Sequence, residues 1–488
     1  MLLSKLVKNL NVKEFINYKD VDIFELSTDS RQIFENCLFF AVKGNNTDGS
    51  LYIADAIKRG AVAVVTENKL EVSIPQILVD NVKLACGVIA NEFYKPKNKR
   101  VKVIGIVGTN GKTTTSFMLK NVLESAGIKA GVIGTLGAFY NKAFVSPELT
   151  TPDTLCLYEL LMNMSNDGIE YAIIEVSAHA IQQERVANLK FEALIFTNCT
   201  QDHLDYFQTF EEYEKTKLSV FTAKNCRFAI VNADDEAGRK IIKSQKVKTF
   251  TYGLENPADV FAIKIKNSKS GISFVANVFD EIEHITYQSA GLFNVYNALS
   301  AITCACVLGV DVETASVGVS AIKCVPGRME FVENYNGADV YIDYAHTPDG
   351  LEKVLSSLKE ITKGKLYLVF GCGGNRDKEK RAIMGEIAGK YADFTVITSD
   401  NPRYEEPFLI ISQIEKGIRR SSLSYITIQN RKMAIGYAVY KLQEGDTLLI
   451  AGKGAEEYQE VMGVKTRFCD KEEVKDCIAK LKFGGELI

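Results

Sequence analysis

The 488-residue chain contains no tryptophan, no C-x-x-C pair among its eleven cysteines and no stretch close to the ~20 apolar residues of a membrane-spanning helix. Residues 1–10 are amphipathic and lack the continuous apolar core of a signal peptide. Because the cysteines are scattered without metal-ligand spacing, the sequence favours reduced thiols over disulfides or a zinc site. We therefore expect a cytosolic protein that does not insert into a membrane.

An excess of charge of either sign is also missing. Charged residues make up 24% of the chain and the net charge is -3. This balance predicts neither a nucleic-acid-binding surface nor an acidic tail, so the positive field for an anionic substrate has to be local. Internal repeats and low-complexity tracts are absent as well, and a chain of this length is expected to form about three domains.

The sequence does contain a glycine-rich turn between a predicted strand and a predicted helix. Residues 101–107 are mostly apolar and β-branched, which is typical of a strand covered on both faces. Gly108 and Gly111 then allow the backbone to bend around an anion, and Lys112 adds a positive charge. Thr113 is placed to offer its hydroxyl to a phosphate-bound Mg²⁺. These residues predict a nucleotide phosphate site.

The turn is a shortened version of the usual phosphate-binding loop. Residues 108–114 read G-T-N-G-K-T-T, and Ile106 stands where the longer loop has its first glycine. The alternative interpretation is a glycine loop that only joins a strand to a helix. The lysine and the threonines that follow it favour the phosphate site.

Alternating strand and helix patterns predict an α/β fold with three domains, 1–95, 96–325 and 326–488. The basic segment 95–100 is typical of a linker between the first two domains. In the central domain, repeated strand–helix units favour a parallel sheet with right-handed crossovers. Ligands of such sheets bind at the carboxyl ends of the strands.

Polar side chains follow several predicted strands of the central domain. Glu175 ends one strand and can hold Mg²⁺, although a helix cap or turn position is equally compatible with its place in the sequence. His203 lies between two aspartates, where the residues alone favour a turn histidine over a metal ligand. The segment Thr150–Asp153 precedes a helix and can cap it. Lys215 and Lys217 are typical of surface charges.

The third predicted domain repeats this pattern. Polar clusters follow its strands at residues 343–348, 371–376, 399–403 and 451–456. The glycines of the second cluster are only weakly similar to a dinucleotide-binding loop, because the G-x-G-x-x-G spacing and the later ribose-binding acid are not both present.

Five motifs together resemble the Mur ligase family, and the resemblance covers essentially the whole chain. They are G-T-N-G-K-T-T at 108–114, E-V-S-A-H at 175–179, D-H-L-D at 202–205, P-G-R-M-E at 326–330 and A-H-T-P at 345–348. The resemblance implies an ATP-dependent, amide-bond-forming ligase that acts in synthesis of the cytoplasmic peptidoglycan precursor. It also implies a small UDP-sugar-binding N-terminal α/β domain, a central P-loop ATPase-like domain with a parallel sheet, and an amino-acid-binding, Rossmann-like C-terminal domain.

The early D-S-R and the D-N-P-R at 400–403 resemble the members that add the third residue of the stem peptide. This resemblance implies UDP-N-acetylmuramoyl-L-alanyl-D-glutamate and meso-diaminopimelate as substrates, ATP as co-substrate and Mg²⁺ as cofactor. No nucleic-acid partner is implied, and we expect a monomer.

The resemblance assigns the phosphate turn to ATP. Lys112 would meet the β and γ phosphates, and three residues further along the chain would contact the nucleotide. The implied ATP-binding residues are Gly108, Thr109, Asn110, Gly111, Lys112, Thr113, Thr114, Asn297, Arg328 and Asp343.

Metal ligands and catalytic residues are implied in the same way. Thr113 and Glu175 would bind one Mg²⁺, and His203 a second. Lys217 matches a lysine that becomes carbamylated in the family, and its spacing from Tyr213 selects it among the neighbouring lysines. The implied metal ligands are Thr113, Glu175, His203 and carbamylated Lys217, and the implied catalytic residues are Lys112, Glu175, His203 and Lys217.

Two further sets of residues match substrate-binding positions of the family. The positions for the UDP-sugar dipeptide are Thr28, Ser30, Thr150, Thr151, Ser177, Gln183 and Arg185. The positions for the incoming amino acid are Arg376, Asp400, Asn401, Pro402, Arg403, Gly452 and Glu456. From the sequence alone, Gln183 and Arg185 are equally typical of a solvated face.

Arg403 bears on the choice of amino acid. Members of the family that take meso-diaminopimelate have D-N-P-R, whereas lysine-adding members lack the arginine. The physical reason is that diaminopimelate carries a second carboxylate, which a guanidinium grips with two hydrogen bonds. Ala455 stands where the family usually has a histidine, so meso-lanthionine, which has the same far end, and L-lysine are kept as alternatives.

Two other functions are compatible with parts of the sequence. A folylpolyglutamate-synthetase-like ligase shares the core motifs, but the first domain and D-N-P-R argue against it. A P-loop nucleotide switch is the alternative from a different class. Guanine recognition in such switches usually needs N-K-x-D, and the segment Asn232–Asp235 lacks the lysine.

Overall fold

The computed structural model describes residues 1–44, 47–95, 99–141, 143–146 and 149–482. They form three α/β units in chain order, each built on its own main sheet, which confirms the predicted three-domain α/β architecture. Residues 96–98 of the predicted linker lie outside the described residues. Within the described ranges, no helix combines the length and apolarity needed to cross a bilayer.

The first unit contains a five-stranded sheet. Its strands are β1 (Glu14–Ile16), β2 (Glu25–Ser27), β3 (Cys37–Phe40), β4 (Ala61–Thr66) and β5 (Gln76–Leu78). Its helices are α1 (Leu3–Leu6), α2 (Ile53–Arg59) and α3 (Val82–Phe93), with 3₁₀ turns at Ser30–Gln32 and Gly49–Tyr52. The strand order is β1-β5-β4-β3-β2, with β1 antiparallel to β5 and the other pairs parallel.

The central unit contains an eleven-stranded sheet. Its strands are β6 (Lys102–Val107), β7 (Ala130–Gly134), β8 (Gly137–Tyr140), β9 (Ala143–Val145), β10 (Tyr171–Val176), β11 (Phe191–Phe196), β12 (Cys226–Asn232), β13 (Lys248–Gly253), β14 (Val260–Ser268), β15 (Gly271–Val278) and β16 (Glu281–Tyr287). Its helices are α4 (Lys112–Ser125), α5 (Thr154–Asn166), α6 (Ala178–Gln182), α7 (Leu204–Phe207), α8 (Phe210–Leu218), α9 (Glu236–Ser244), α10 (Phe293–Val307) and α11 (Val312–Ala321).

Strand β6 lies inside the central sheet, between β10 and β11. Ile104 and Ile106 pack into the core beneath α4, α10 and α11, whereas Val103 and Val107 pack into the core of the opposite face. A strand with two buried faces needs apolar residues at successive positions, which is why 101–107 are almost continuously apolar. This arrangement fixes the phosphate turn at the carboxyl end of a central strand.

The prediction of a parallel central sheet is correct for its middle and wrong for its ends. Strands β7, β10, β6, β11, β12, β13 and β14 pair in parallel. At the two ends of the sheet, the pairs β7–β8, β8–β9, β14–β15 and β15–β16 are antiparallel. Two residues join β7 to β8, and two join β14 to β15. A parallel crossover needs about a dozen residues, so these short turns produce antiparallel hairpins.

The third unit contains a six-stranded sheet and a separate hairpin. Its strands are β17 (Glu330–Tyr335), β18 (Ala338–Asp343), β19 (Leu366–Phe370), β20 (Phe394–Ile397), β21 (Tyr425–Thr427), β22 (Thr447–Ala451), β23 (Tyr458–Val461) and β24 (Val464–Arg467). Its helices are α12 (Pro348–Ile361), α13 (Glu379–Tyr391), α14 (Pro407–Ile418), α15 (Arg431–Lys441) and α16 (Asp470–Lys482). The sheet order is β17-β18-β22-β19-β20-β21, and β23 pairs with β24.

A fully buried ion pair joins α15 to α16 behind this sheet. Arg431 Nε and Nη2 each lie 2.7 Å from a carboxylate oxygen of Asp470, and both side chains are 0% exposed. Arg431 Nη2 also donates to the Ala451 carbonyl, at the end of β22. The pair therefore supports the loop that follows β22.

Replacing Asp470 with alanine is expected to lower the free energy of unfolding by about 3–5 kcal/mol, because it leaves the Arg431 guanidinium buried without its counter-charge. Chemical denaturation of the full chain measures this change. The exposed Glu472 of the same helix supplies the control, since Glu472→Ala removes a carboxylate only from a surface pair. Equal unfolding free energies for the two variants would contradict the prediction.

Candidate functional site

A cavity of about 690 Å³ lies between the central and third units. The carboxyl ends of β6, β10 and β11 border it from the central unit, and those of β18, β19 and β22 from the third. Parallel strands of both sheets therefore end at one shared space, which is where ligands of α/β sheets bind.

The phosphate turn forms one wall of this cavity. Gly111 has a left-handed φ of 87°, and a Cβ there would lie 2.5 Å from Asn297 Oδ1, so the position requires glycine. Helix α4 begins at the next residue, and the free amides of its first turn are therefore available to an anion. Lys112 Nζ donates to the carbonyls of Gly108 and Thr109, each at 2.9 Å, and burial lowers its pKa.

Glu175 lies beside this turn. It is 1% exposed and belongs to β10, while Ser177 caps the next helix, so Glu175 is neither a helix cap nor a turn residue. One carboxylate oxygen accepts from Thr113 Oγ1 and from Thr135 Oγ1, each at 3.0 Å, and the other accepts from the Thr135 amide. These contacts bring the carboxylate next to the threonine that begins the phosphate-binding helix.

Three residues predicted to contact the nucleotide lie around the same turn. Arg328 of the third unit donates from Nη2 to Thr113 Oγ1 at 3.0 Å. Asn297 lines the cavity from α10. Burial raises the pKa of Asp343, whose two oxygens accept from the amides of Met329 and Ala345 at 2.6 and 2.7 Å. Asp343 therefore holds the backbone around Arg328.

His203 lies in a cluster of titratable groups between the two units. It has a left-handed φ of 56°, and burial lowers its pKa to about 3, so its ring is neutral at pH 7. Its Nε2 lies 3.3 Å from Asp202, which also pairs with Lys380 of α13 at 3.3 Å and faces His346 at 3.9 Å. Burial acts to raise the pKa of Asp202, but Lys380, His203 and His346 outweigh it and lower that pKa.

Lys217 is buried, contrary to the surface position that the residues alone suggested. It is 1% exposed, whereas Lys215 is exposed. Lys217 Nζ donates to Thr109 Oγ1 at 2.6 Å and lies 4.0 Å from the centre of the Tyr213 ring. Burial lowers the pKa of Lys217 to about 7, so a large fraction of this amine is neutral near physiological pH.

The polar residues of the third unit gather at the other end of the cavity. Asn401 Nδ2 donates to Glu456 Oε2 at 2.9 Å. Lys453, which is 0% exposed, donates to both of these side chains. Arg403 donates from Nη1 to the Gly374 carbonyl at 2.9 Å. The pocket thus holds acidic and basic groups side by side, which suits a zwitterionic ligand.

The residues assigned to the UDP-sugar dipeptide fall into two groups. Thr28 and Ser30 lie just after β2 in the first unit, where Thr28 is exposed and Ser30 is buried. The remaining five lie in the central unit: Thr150, Thr151, Ser177, Gln183 and Arg185. Four of these are joined by hydrogen bonds, because Thr151 Oγ1 donates to Ser177 Oγ, and Arg185 donates to the Thr151 carbonyl and to Gln183 Oε1.

The cavity gathers most of the predicted residues, but not all. Those that line it are Gly108, Thr109, Asn110, Gly111, Lys112, Thr113, Thr114, Thr150, Glu175, Ser177, His203, Asn297, Arg328, Asp343, Arg376, Asp400, Asn401, Arg403, Gly452 and Glu456. Seven others, all within the described ranges, do not line it: Thr28, Ser30, Thr151, Gln183, Arg185, Pro402 and Lys217. Lys217 reaches the phosphate turn through Thr109.

Among the described residues, no three or more His, Cys, Asp or Glu side chains gather in a metal-binding arrangement. The oxygen atoms of Thr113 and Glu175, 3.0 Å apart, nevertheless fit a hard cation such as Mg²⁺ whose remaining ligands are phosphate oxygens and water.

Several side chains of the site were not predicted from the sequence. Thr135, Lys380, His346, Asp349 and Lys453 contact predicted residues or line the cavity. Two of them stand in sequence motifs that could have identified them. His346 belongs to A-H-T-P, and Lys453 belongs to G-K-G after a predicted strand. No sequence signal pointed to Lys380, since a lysine in a helix is usually a surface charge.

Family models match three successive parts of the chain. The model described as "Mur ligase family, catalytic domain" matches residues 22–110, "Mur ligase middle domain" matches 106–305, and "Mur ligase, glutamate ligase domain" matches 327–454. Together these segments contain every strand of the three main sheets except β1.

Relatives align with the chain almost from end to end. One from Caldanaerobacter subterraneus subsp. tengcongensis, named UDP-N-acetylmuramoyl-L-alanyl-D-glutamate--2,6-diaminopimelate ligase, is 43% identical over 94% of this chain and 96% of the relative. A ligase of that name, numbered 1, from Clostridium acetobutylicum is 41% identical over 99% of this chain and 100% of the relative. A solved structure titled with the same name is 30% identical, with a TM-score of 0.71, and covers 99% of this chain and 100% of its own. With this identity over nearly its full length, and with all three of its sheets matched in order, the chain belongs to the Mur ligase family.

Proposed function

We propose that this chain is an ATP-dependent ligase that joins meso-diaminopimelate to the D-glutamyl carboxylate of UDP-N-acetylmuramoyl-L-alanyl-D-glutamate. The observation that carries the proposal is that one cavity connects the phosphate turn, residues 108–114, to the pocket that contains Arg403 and Glu456. A nucleotide and an amino acid bound at its two ends would meet in one space. The names of the full-length relatives support the same reaction, which is that of the MurE branch of the family.

The proposed reaction has two steps. A carboxylate oxygen of the D-glutamyl residue attacks the γ-phosphorus of ATP, which forms an acyl phosphate and releases ADP. The unprotonated amine of diaminopimelate then attacks the acyl carbon, and phosphate leaves the tetrahedral intermediate as the amide forms. The proton lost by the amine passes to a base.

Lys112 and the first turn of α4 would lower the barrier to the first step. Two anions, the carboxylate and the γ-phosphate, must meet, and their repulsion has to be neutralised. The Lys112 ammonium and the free amides of α4 supply positive charge at the turn. The hydrogen bonds from Lys112 to two loop carbonyls hold the amine at the turn, from where it can exchange a carbonyl for a phosphate oxygen.

The implied Mg²⁺ fits the oxygen donors beside the turn. Thr113 and Glu175 would hold one Mg²⁺ and His203 a second, and Lys217 as its carbamate would be a further metal ligand. When bound, Mg²⁺ supplies positive charge to the phosphoryl oxygens. Tyr213 contacts both His203 and Lys217, with distances of 6.3 Å between ring centres and 4.0 Å from Nζ to the ring, so these two residues share one neighbourhood.

The UDP-sugar dipeptide would extend from the first unit to the cavity. Thr28 and Ser30 would hold its nucleotide-sugar end, while Thr150 and Ser177 line the cavity near Glu175. Thr151 and Gln183 each accept a hydrogen bond from Arg185, and these three residues would bind the peptide part. The D-glutamyl carboxylate would then lie between the phosphate turn and the third unit.

The amino-acid end favours a substrate with two zwitterionic termini. Arg376 and Arg403 offer guanidinium groups to carboxylates, and Glu456 offers a carboxylate to an ammonium group. Asp400, Asn401, Pro402 and Gly452 complete the proposed pocket. L-Lysine lacks the second carboxylate, whereas meso-lanthionine has it, so the arginines favour diaminopimelate over lysine more strongly than over lanthionine.

The proposed function also includes the domain boundaries, the cellular compartment and the oligomeric state. Domain boundaries at 1–95, 96–325 and 326–488 would give the UDP-sugar, ATP and amino acid one main domain each. A nucleotide-linked precursor and ATP are cytoplasmic substrates, so the enzyme would act in the cytoplasm. We also expect it to act as a monomer.

The proposal is tested by phosphate release from purified full-length protein with ATP, Mg²⁺ and UDP-N-acetylmuramoyl-L-alanyl-D-glutamate. Parallel reactions receive meso-diaminopimelate, meso-lanthionine or L-lysine, and mass spectrometry identifies the product. We expect phosphate release and tripeptide formation with diaminopimelate. A preference for lanthionine or lysine would overturn the amino-acid assignment, and hydrolysis of ATP that needs no amino acid would favour a nucleotide switch.

Replacing Arg403 with alanine is expected to raise the KM for meso-diaminopimelate about 100-fold and to change the KM for ATP less than about twofold. The loss corresponds to a two-bonded, charge-assisted contact with the distal carboxylate. Steady-state kinetics with each substrate varied in turn measure both constants. Arg420→Ala, which removes an exposed arginine of the same unit, is the control. An unchanged KM for diaminopimelate in Arg403→Ala would reject the pocket assignment.

A further inference from the structure

The hairpin β23–β24 is attached to the D-N-P-R tetrad, residues 400–403. The Arg403 amide donates to the Glu460 carbonyl at 3.0 Å, and the Met462 amide donates to the Arg403 carbonyl at 2.7 Å. Gln459 donates from its side chain to the Asp400 carbonyl. The Glu460 amide donates to Asn401 Oδ1. The tetrad is therefore held by the hairpin through both backbone and side-chain contacts.

These contacts hold Arg403 in an uncommon backbone conformation. Its φ is 53°, in the left-handed region that residues with a side chain seldom adopt. Such a conformation persists where the surrounding contacts fix it, and it is found preferentially at ligand sites. The backbone bonds from Arg403 to Glu460 and Met462 are two such contacts.

The side chain of Arg403 is held from the same hairpin. Its Nε lies 3.4 Å from Glu460 Oε2, and its Nη1 donates to the Gly374 carbonyl at 2.9 Å. The two charged side chains are 19% and 18% exposed. Both residues lie in the described range 149–482, where Arg403 lines the cavity and Glu460 does not. The Glu460 carboxylate thus pairs with the guanidinium without itself lining the cavity.

This arrangement leaves hydrogen atoms of Nη1 and Nη2 for a ligand. A guanidinium has five N–H donors in a rigid plane, so the ion pair at Nε and the hydrogen bond from Nη1 together restrict the direction of the remaining donors. A planar carboxylate that approaches from the cavity can then take two parallel hydrogen bonds without further ordering of the side chain.

We propose that Glu460 is a positioning residue for Arg403 and thereby helps the enzyme select amino acids that carry a distal carboxylate. The inference rests on the proposed function, because it assigns Arg403 to the amino-acid substrate. Glu460 acts through Arg403 and does not touch the substrate. The recognised ligand class is a diamino dicarboxylic acid, which has a second carboxylate at the required distance from the reacting amine.

The sign of the effect separates positioning from simple electrostatics. If the charge of Glu460 only weakened the field of Arg403, its removal would strengthen carboxylate binding and lower the KM for the amino acid. If Glu460 holds the guanidinium in place, its removal frees the side chain and raises that KM.

The test compares wild type, Glu460→Ala, Glu460→Gln and Arg403→Ala with the double variant that carries both alanines. We expect Glu460→Ala to raise the KM for meso-diaminopimelate about tenfold, while kcat and the KM for ATP change less than about twofold. Glu460→Gln keeps an acceptor oxygen for Nε and is expected to recover most of this loss. Adding Glu460→Ala to Arg403→Ala is expected to raise the KM no further, because the residue acts only through Arg403.

Glu457→Ala is the matched control, since Glu457 is an exposed acid three residues earlier in the same segment. An unchanged or lowered KM in Glu460→Ala, or a further rise in the double variant, would overturn the inference while wild-type activity leaves the proposed function intact. If Glu460→Ala does not fold, the isosteric Glu460→Gln carries the test, with a rise of about two- to threefold expected and no rise overturning the inference. Wild-type protein that makes no tripeptide, or that prefers L-lysine, would overturn both.

Discussion

Replacing Lys112 with alanine is expected to abolish tripeptide formation, with a fall in kcat of at least about 10³-fold. Lys112 is the cation at the start of α4, and its amine is already held at the turn by the carbonyls of Gly108 and Thr109. When the carboxylate and the γ-phosphate approach each other, this charge offsets their repulsion. The amides of α4 remain in the variant, but partial dipole charges do not replace a full positive charge beside the phosphates.

The measurement is phosphate release and product mass under saturating substrates, compared with Lys120→Ala as the control. Lys120 lies on the same helix and pairs with Glu124 at 2.6 Å, so its loss removes a lysine from α4 without touching the turn. The control is expected to keep kcat within about twofold of wild type. More than about a tenth of wild-type kcat in Lys112→Ala would contradict the assignment of this residue.

Replacing Lys217 with alanine is expected to lower kcat at least about 100-fold. A neutral amine attacks the carbon of CO₂ and loses a proton, which leaves a carbamate with one negative charge. The structure supplies what this chemistry requires, because burial lowers the pKa of Lys217 to about 7 and Nζ lies beside the phosphate turn. Without this side chain the proposed metal site loses the carbamate that would be one of its ligands.

Small carboxylates such as acetate or formate are expected to restore part of the activity of Lys217→Ala, whereas bicarbonate is not, because the variant has no amine to modify. Lys215→Ala is the control, since Lys215 is exposed on the same helix. Full activity of Lys217→Ala without added carboxylate would reject the carbamate.

The wild-type enzyme should also show a pH dependence that the variant lacks. The folded-state pKa of Lys217, about 7, lies below its usual 10.5, so the reactive neutral amine prevails above pH 7 and is lost as the pH falls below it. Activity that requires the carbamate is therefore expected to decline below about pH 7 and to respond there to added bicarbonate. The acetate-supported activity of Lys217→Ala should not respond to bicarbonate at any pH.

Local sequence signals predicted the elements around the phosphate turn well. Strand β6 and helix α4 are adjacent in the chain, and the glycines between them allow the tight turn. This turn therefore depends on neighbouring residues and not on the rest of the sheet. The helix cap at Asp153 was likewise predictable, since its side chain accepts from the amide of Cys156, three residues away. The antiparallel pairing at the sheet ends was not predicted, because the alternation of strands and helices favours parallel crossovers, whereas two-residue turns join β7 to β8 and β14 to β15.

Site residues whose partners are distant in sequence could not be predicted from spacing. Lys217 is two residues from the exposed Lys215 in a charged helix, and only the packing of α8 against the phosphate turn distinguishes them. Lys380 and Asp202 are 178 residues apart in the chain, and only the approach of the third unit to the central one joins them.

The amino-acid sequence by itself determined the α/β class, the three-unit organisation, the phosphate turn and the family, because these depend on residues that are adjacent in the chain or on motifs in a fixed order. Tertiary structure alone decided that Lys217 is buried and that Glu460 reaches Arg403. The physical reason is that burial, charge pairing and the pKa of an amine depend on distances in space. Those distances are set by how the sheets and hairpins pack against each other, and sequence separation does not determine them.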